Sequence, residues 1–248
     1  HKVTMITELF IESLKKIIDM VNTVKAAPMD KDILKAAKVM GFSDKYVARL
    51  WNTDEMTVCN FRKECGIFPV FRMVDTLHTG KYIAYLYSSY TGENQSRLTD
   101  KKKIVVLGAG PIRIGQGVEF DYSTVHAVMT IKNSGYEAII INNNPETVST
   151  DYTTADKLYF EPLTVEDILN IVDLEQPAGV ITSLGGQTAV NLTQPLAEHG
   201  VRIIGTSPEA VFAAEVGKIE GPVKTSFGYL IFFCYFFTNT CNSTSFNI

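Results

Sequence analysis

Cysteine is scarce in this chain. Four in 248 residues do not make a disulfide framework. Cys59 and Cys65 lie six apart, and Cys234 and Cys241 seven apart. Neither spacing is that of a zinc site, and no His stands beside them at metal spacing. They read as packed or incidental thiols, with no metal expected. Long apolar runs are missing too. The longest, Phe227 to Phe237, is about half of the roughly 18–20 residues that span a bilayer. Nor is there an excess of one charge. Lys and Arg number 23 against 27 Asp and Glu, for a net charge of −4. That gives no electrostatic reason to expect nucleic acid, and no membrane partner is expected either. The opening HKVTMITELF lacks an initiator Met and the layout of a signal peptide. It runs straight into a helical pattern, so the chain is expected to begin inside a larger protein.

What is present is ordinary globular composition, 46% hydrophobic and 20% charged, in a length comfortable for two domains. Residues 1–66 read as helices. Phe10, Leu14, Ile17, Ile18 and Val21 recur at helical spacing and form a candidate core stripe, any surplus of which would be an interface. Asp30 is placed to cap a helix that Gly41 ends. Ser43 can cap the next, which carries Tyr46, Val47, Leu50 and Trp51. Thr53 opens one more, and Gly66 closes it. Residues 67–103 form a connector with a β-like run at Tyr82, Tyr85, Tyr87 and Tyr90, then a polar, turn-rich stretch. The domain boundary is placed near Thr99.

From Lys103 the pattern alternates. KIVVLGAG, EAIIINNNP, KLYFEP, AGVITSLGG and VRIIGT read as buried strands. Helices are expected over Tyr122–Ser134, from a Thr164–Asp167 capping box to about Leu174, over Gln187–Glu198, and from Ser207 with Pro208 at its first position. Such alternation predicts an α/β fold: a doubly wound, Rossmann-like parallel sheet after a small all-helical domain. Working residues in such sheets sit past the carboxyl ends of the strands. Four loops meet that condition: Gly108–Gly117, Asn142–Ser149, Gly185–Gln187 and Gly205–Ser207.

The first loop, GAGPIRIGQGVEFDYS, departs from the dinucleotide pattern in spacing, and Asn142, Asn143 and Asn144 stand where a ribose-binding acid is wanted. No Gly-Lys-Ser/Thr follows for a phosphate loop. Both readings therefore weaken. Arg113 could pair with an anion or form a structural ion pair with Glu119 or Asp121. Glu119 and Glu146 each lie just beyond a strand end. They could bind a cation, orient a polar intermediate, line a passage, or simply form a solvated rim. LGGQT, with Gly185, Gly186 and Gln187, is a generic anion site at a helix start. His126 and His199 fall on helices with no partner cluster in view.

Taken in order, GAGPIRIGQGVEFDYS, GYEAIIINNNPETVSTDYTTADKLYFEPLTVEDIL, GVITSLGGQTAVNL and GTSPEA closely resemble the large subunit of carbamoyl-phosphate synthase over about residues 103–215. GFSDKYVARLW and PVFRMVDT resemble the helical oligomerization domain between its two synthetase halves. The resemblance implies three segments. Residues 1–98 would be the oligomerization-type domain with its connector, 99–215 a pre-ATP-grasp domain opening the carbamate-phosphorylating half, and 216–248 a tail foreign to the family. It implies a cytoplasmic ligase that makes carbamoyl phosphate from bicarbonate and glutamine-derived ammonia. ATP and Mg²⁺ (or Mn²⁺) would be held by an ATP-grasp domain that does not follow here. A glutaminase small subunit and further copies of the chain would be its partners. Gly117, Glu119 and Glu146 would line an internal passage for carbamate, with Arg113, Gln116, Asn144, Gly185, Gly186 and Gln187 on its substrate side. No catalytic residue is assigned, and the chain alone is expected to be inactive. A stand-alone, self-associating scaffold module is the other reading.

Two departures accompany the resemblance. Leu77 and His78 stand in a segment where the family usually has a Cys. After Glu215 the text becomes foreign. From Phe227 onward the last 22 residues hold six of the fourteen phenylalanines, two of the four cysteines and no charge. This tail is read as an artefact of frame or assembly, expected to pack poorly or to lie on bare apolar surface.

Overall fold

The computed structural model describes residues 4–75, 80–111 and 118–206, with the backbone of Ile219–Thr225 and Gly228–Phe233. Two compact units divide the chain, His1–Arg97 and Leu98–Ile248. Helices α1 (Glu8–Ala26), α2 (Lys31–Val39), α3 (Asp44–Trp51) and α4 (Glu55–Glu64) make up most of the first. Asp30 accepts the Asp32 and Ile33 amides at 2.9 Å and starts α2, and Ser43 accepts the Tyr46 amide at 3.1 Å and starts α3. Each cap satisfies helix donors that have no intrahelical partner. The cap of α4 is Asp54 rather than Thr53, because the Asp54 carboxylate accepts the Thr57 amide at 2.9 Å. Hydrogen bonding lowers the pKa of this exposed carboxyl, first through the Thr57 hydroxyl and then through the Thr57 amide.

Val24, Leu34, Ala37, Phe42, Val47, Ala48, Trp51, Val58 and Ile67 form the helical core. The expected core role of the α1 stripe fails over most of its length. Phe10, Leu14 and Ile18 are 63%, 58% and 58% exposed, and only the last turns, at Met20, Val21 and Val24, reach the core. Helix α1 is 19 residues long, against 8–10 for its neighbours, and its amino-terminal half is exposed. Inside the core, Asp44 accepts from both Lys38 Nζ and Arg62 Nε at 2.9 Å. Burial works against the Arg62 charge, but Asp44 outweighs it and holds the guanidinium above its ordinary pKa. Strands β1 (Val70–Met73) and β2 (Tyr85–Ser89) pair antiparallel. The polar stretch beyond them satisfies β1: Asn94 accepts the Phe71 amide and Gln95 the Met73 amide.

The second unit is α/β, with parallel strands in the order β5–β4–β3–β6. These are β3 (Lys103–Leu107), β4 (Glu137–Ile141), β5 (Lys157–Tyr159) and β6 (Gly179–Ile181). Each is buried along its whole length, as parallel strands covered on both faces must be. The expected fifth strand, VRIIGT, is reduced to one parallel bridge, Val180 to Ile203. Helix α5 (Val118–Asn133) begins four residues before the expected Tyr122, because Val118 to Asp121 complete its first turn. Helix α6 (Val165–Glu175) starts at Thr164, whose hydroxyl accepts the Asp167 amide at 3.2 Å and donates to the Asp167 carboxylate at 2.6 Å. The expected helix over Gln187–Glu198 divides into α7 (Gly186–Val190) and α8 (Thr193–Glu198). In the tail, β7 (Ile219–Thr225) and β8 (Gly228–Phe233) pair as an antiparallel hairpin, an order the composition did not suggest. The helix expected from Ser207 and Pro208, Leu77 with His78, and Cys234 with Cys241 lie outside the described residues.

Candidate functional site at the carboxyl edge of the sheet

The strand order places β3 between β4 and β6, so chain direction diverges from β3 to either side. Ligand crevices form at such a divergence, beyond the carboxyl ends of the strands. Here glycines bring the loops together. A Cβ on Gly185 would overlap the Gly108 carbonyl, and one on Gly108 would lie 2.5 Å from the Asn142 side chain. Gly186, at φ +67°, lets the chain pass over the Phe120 ring, where a Cβ would sit at 3.0 Å.

Asn142 occupies the space that Gly108 leaves. Its Oδ1 accepts the Gly110 amide at 3.0 Å and the Asn144 amide at 3.3 Å. The following residues satisfy one another. Asn144 Oδ1 accepts the Glu146 amide at 3.0 Å, and the Thr147 and Thr150 hydroxyls donate to the Asn144 carbonyl. Asp121, from the first turn of α5, accepts the Val148 amide at 2.8 Å and the Ser149 amide at 3.0 Å.

The proposed site residues fare differently. Glu119 lies in the first turn of α5 and Glu146 in the β4 loop, both exposed. The Asp121 bonds join the two segments that carry them. Asn144 organises its own loop. Gln187 is spent along α7, donating to Asn191 Oδ1 at 2.6 Å. Gly185 and Gly186 serve close packing. Arg113, Gln116 and Gly117 lie outside the described residues. Asp121, weighed only as an ion partner of Arg113, accepts two backbone amides. The His126 and Tyr122 rings, both on the exposed side of α5, lie tilted at 51° with centres 4.1 Å apart.

Of three further residues at this edge, Ser183 escaped the sequence reading, while Asn143 and Thr206 fell in loops it flagged without receiving a role. Asn143 Oδ1, Ser183 Oγ and Thr206 Oγ1 are buried with no hydrogen-bond partner among the described residues. They follow β4, β6 and the Ile203 bridge in turn. Buried polar atoms are normally paired, and exceptions collect where a ligand, ion or water belongs. Their only sequence signal is position, just past a strand end. Among the described residues, no group of three His, Cys, Asp or Glu stands close enough to hold a metal ion, and no helix is long and apolar enough to cross a membrane.

Residues 100–213 match the family described as carbamoyl phosphate synthase preATP-grasp domain, and residues 1–66 match the carbamoyl-phosphate synthetase large chain, oligomerisation domain. The two matches together span well over half of the chain. It belongs to the carbamoyl-phosphate synthase large-chain family. That family is one of ATP-dependent ligases, and the oligomerisation-domain match suggests that oligomers form. Among solved structures, the chain is similar to N5-carboxyaminoimidazole ribonucleotide synthetase from Thermotoga maritima, at 19% identity and a TM-score of 0.33. The match covers 47% of this chain and 28% of that one, so it spans well under two thirds of the relative.

Proposed function

We propose that the second unit is the substrate-side module of the carbamate-phosphorylating half of a glutamine-dependent carbamoyl-phosphate synthase. One observation carries this reading: an oligomerisation domain precedes the preATP-grasp domain in the same chain. A preATP-grasp domain in that position opens the second synthetase half. In this role Gly117, Glu119 and Glu146 line a passage for carbamate. Arg113, Gln116, Asn144, Gly185, Gly186 and Gln187 belong to its substrate side. Carbamate decomposes in bulk water, so a walled route has a physical purpose. The carboxylates keep the walls of that route polar. The exposed rim of Val118, Tyr122, Val148 and Tyr152 supports a second wall contributed by another module.

ATP and Mg²⁺ (or Mn²⁺) belong, in this reading, to an ATP-grasp domain beyond the matched residues. The described residues offer no cluster of His, Cys, Asp or Glu that fits the metal. The glutaminase small subunit supplies ammonia to the complete synthase, in the cytoplasm, and the 248 residues alone do not turn over ATP. The test is coupling. In a large chain that carries this module, Glu119→Gln and Glu146→Gln are expected to lower carbamoyl phosphate formed per ATP consumed several-fold, with bicarbonate-dependent ATP hydrolysis retained. An unchanged ratio removes the passage role.

The bare half of α1 favours a second reading, a self-associating scaffold. Sedimentation of the purified chain tests the self-association that this reading requires, and the coupling ratio above separates it from the first. A mass that stays at two or more copies on dilution, and falls to one copy with Leu14→Lys, supports the scaffold. One copy at all concentrations overturns it.

A further inference from the structure

The β4 loop holds both ends of the loop that precedes it in the chain. At one end, Asn142 Oδ1 accepts the Gly110 amide at 3.0 Å. At the other, Asp121 in the first turn of α5 accepts the Val148 and Ser149 amides at 2.8 and 3.0 Å. Between these two anchor points the β4 loop is internally bonded. Asn142 Nδ2 donates to the Thr147 and Ser149 hydroxyls at 3.4 and 3.5 Å, those two hydroxyls lie 3.1 Å apart, and Thr147 and Thr150 bond back to Asn144. Gly108 is held to glycine by the same Asn142 side chain.

We propose that Asn142 and Asp121 are positioning residues, a two-point clamp through which the β4 loop fixes Gly110 and the first turn of α5 as one cooperative unit. The inference rests on the passage reading only for its use, which is to hold the Glu119 turn and the Glu146 loop in one arrangement. Nothing in the geometry requires Asp121 to face α5's own amides. Its carboxylate is spent on a different segment, and a charge-assisted pair of N–H bonds is a strong tie for a surface loop. Two ties on a short, internally bonded loop open together or not at all. A bond broken at one end must then be felt at the other, and the effect must run both ways.

Amide hydrogen exchange of the full chain, read residue by residue by NMR, tests this. Asp121→Asn keeps the size but turns an N–H toward one of the two amides. Exchange at Val148 and Ser149 is expected to quicken by about tenfold or more. Gly110, at the far end, should quicken with them, while Ile139 and Ile140 in β4 hold their rates. Asn142→Ala provides the reverse reading: it frees Gly110, and Val148 and Ser149 should follow. If either effect stops at its own end, there is no clamp. If Ile139 and Ile140 quicken by the same factor, the bonds are general support for the fold and the proposal falls. Glu119→Gln and Glu146→Gln should leave all of these rates unchanged. Failure of the passage would therefore appear in the ATP coupling ratio alone, and failure of the clamp in exchange alone.

Discussion

The two edges of the parallel sheet are built on opposite terms. At the amino edge three of the four strands start on a charge, and the charges are matched. Lys103, Glu137 and Lys157 begin β3, β4 and β5, and Glu175 ends α6 among them. Glu175 takes Lys103 Nζ at 3.0 Å and Lys157 Nζ at 2.6 Å, and the Tyr159 hydroxyl donates to the same carboxylate. Lys157 also reaches Glu137 at 3.7 Å, and the Thr99 hydroxyl donates to Glu137. Two cations balance two carboxylates, with all four side chains buried. At the carboxyl edge no such pair stands among the described residues, and three buried polar atoms have no hydrogen-bond partner among them. Among the described residues, the sheet thus has its buried ion pairs at one end and its unpartnered neutral groups at the other. Buried charges are held only where partners surround them, and unmet groups are held where something else is to be met.

The sharpest break of that contrast is at Glu175. Removing one member of a buried ion network leaves its partners charged and unsolvated, and costs about 3–5 kcal/mol. Glu175→Gln leaves Lys103 and Lys157 facing an amide. Urea unfolding of the second unit should show a loss of that size, and a loss below about 1 kcal/mol would show that the network contributes little. The same residue carries a pH signature. Burial alone would raise its pKa, but hydrogen bonds from Lys157, Tyr159 and Lys103 outweigh it, so the folded value is depressed. A depressed acid stabilises the fold above its unfolded pKa, about 4.3. That stability is lost as pH falls below this value and through the folded one. Acid titration of unfolding should therefore be flatter below about pH 4 in Glu175→Gln than in the native chain.

The amino edge was also the harder edge to foresee. A strand's hydrophobic run is legible because parallel strands are buried throughout, and KIVVL, EAIII and GVI each fall where their composition puts them. The caps at Asp30, Ser43 and Thr164 were legible for the same local reason: a side-chain oxygen stands just before a helical period. The Lys103–Glu175 pair joins residues far apart in sequence through crossover connections, and no local pattern records it. Asp121 shows the same limit at the other edge. Its sequence neighbours suggested an ion pair with Arg113, which lies outside the described residues, and no local pattern records the amides 27 and 28 residues away that it accepts. The stripe on α1 failed for a different reason. Helical periodicity reports that a face is apolar, and cannot report whether anything stands opposite it. The division of the Gln187–Glu198 helix follows from its shortness, since a break costs little where few turns propagate.

The smallest expected effects test the other half of the contrast. If Ser183 Oγ and Thr206 Oγ1 support the fold, removing them should cost what a lost hydrogen bond costs, about 0.5–1.5 kcal/mol each. If they are unpartnered as the structure has them, Ser183→Ala and Thr206→Val remove buried polar groups that gain nothing from the protein. Thr206 is 1% exposed, so little solvent compensates its hydroxyl. Thr206→Val keeps the shape and is expected to be neutral, or more stable by up to about 1 kcal/mol. The control is Thr182→Val. That hydroxyl is equally buried but bonded to Thr193 Oγ1 at 2.7 Å, so the same change strands its partner and should destabilise. Opposite signs for two threonines near the same edge, measured in one urea series, would mark Thr206 as a group kept for something other than the fold. Equal losses at both would make the carboxyl edge as fully satisfied as the amino edge, and the contrast between them would disappear.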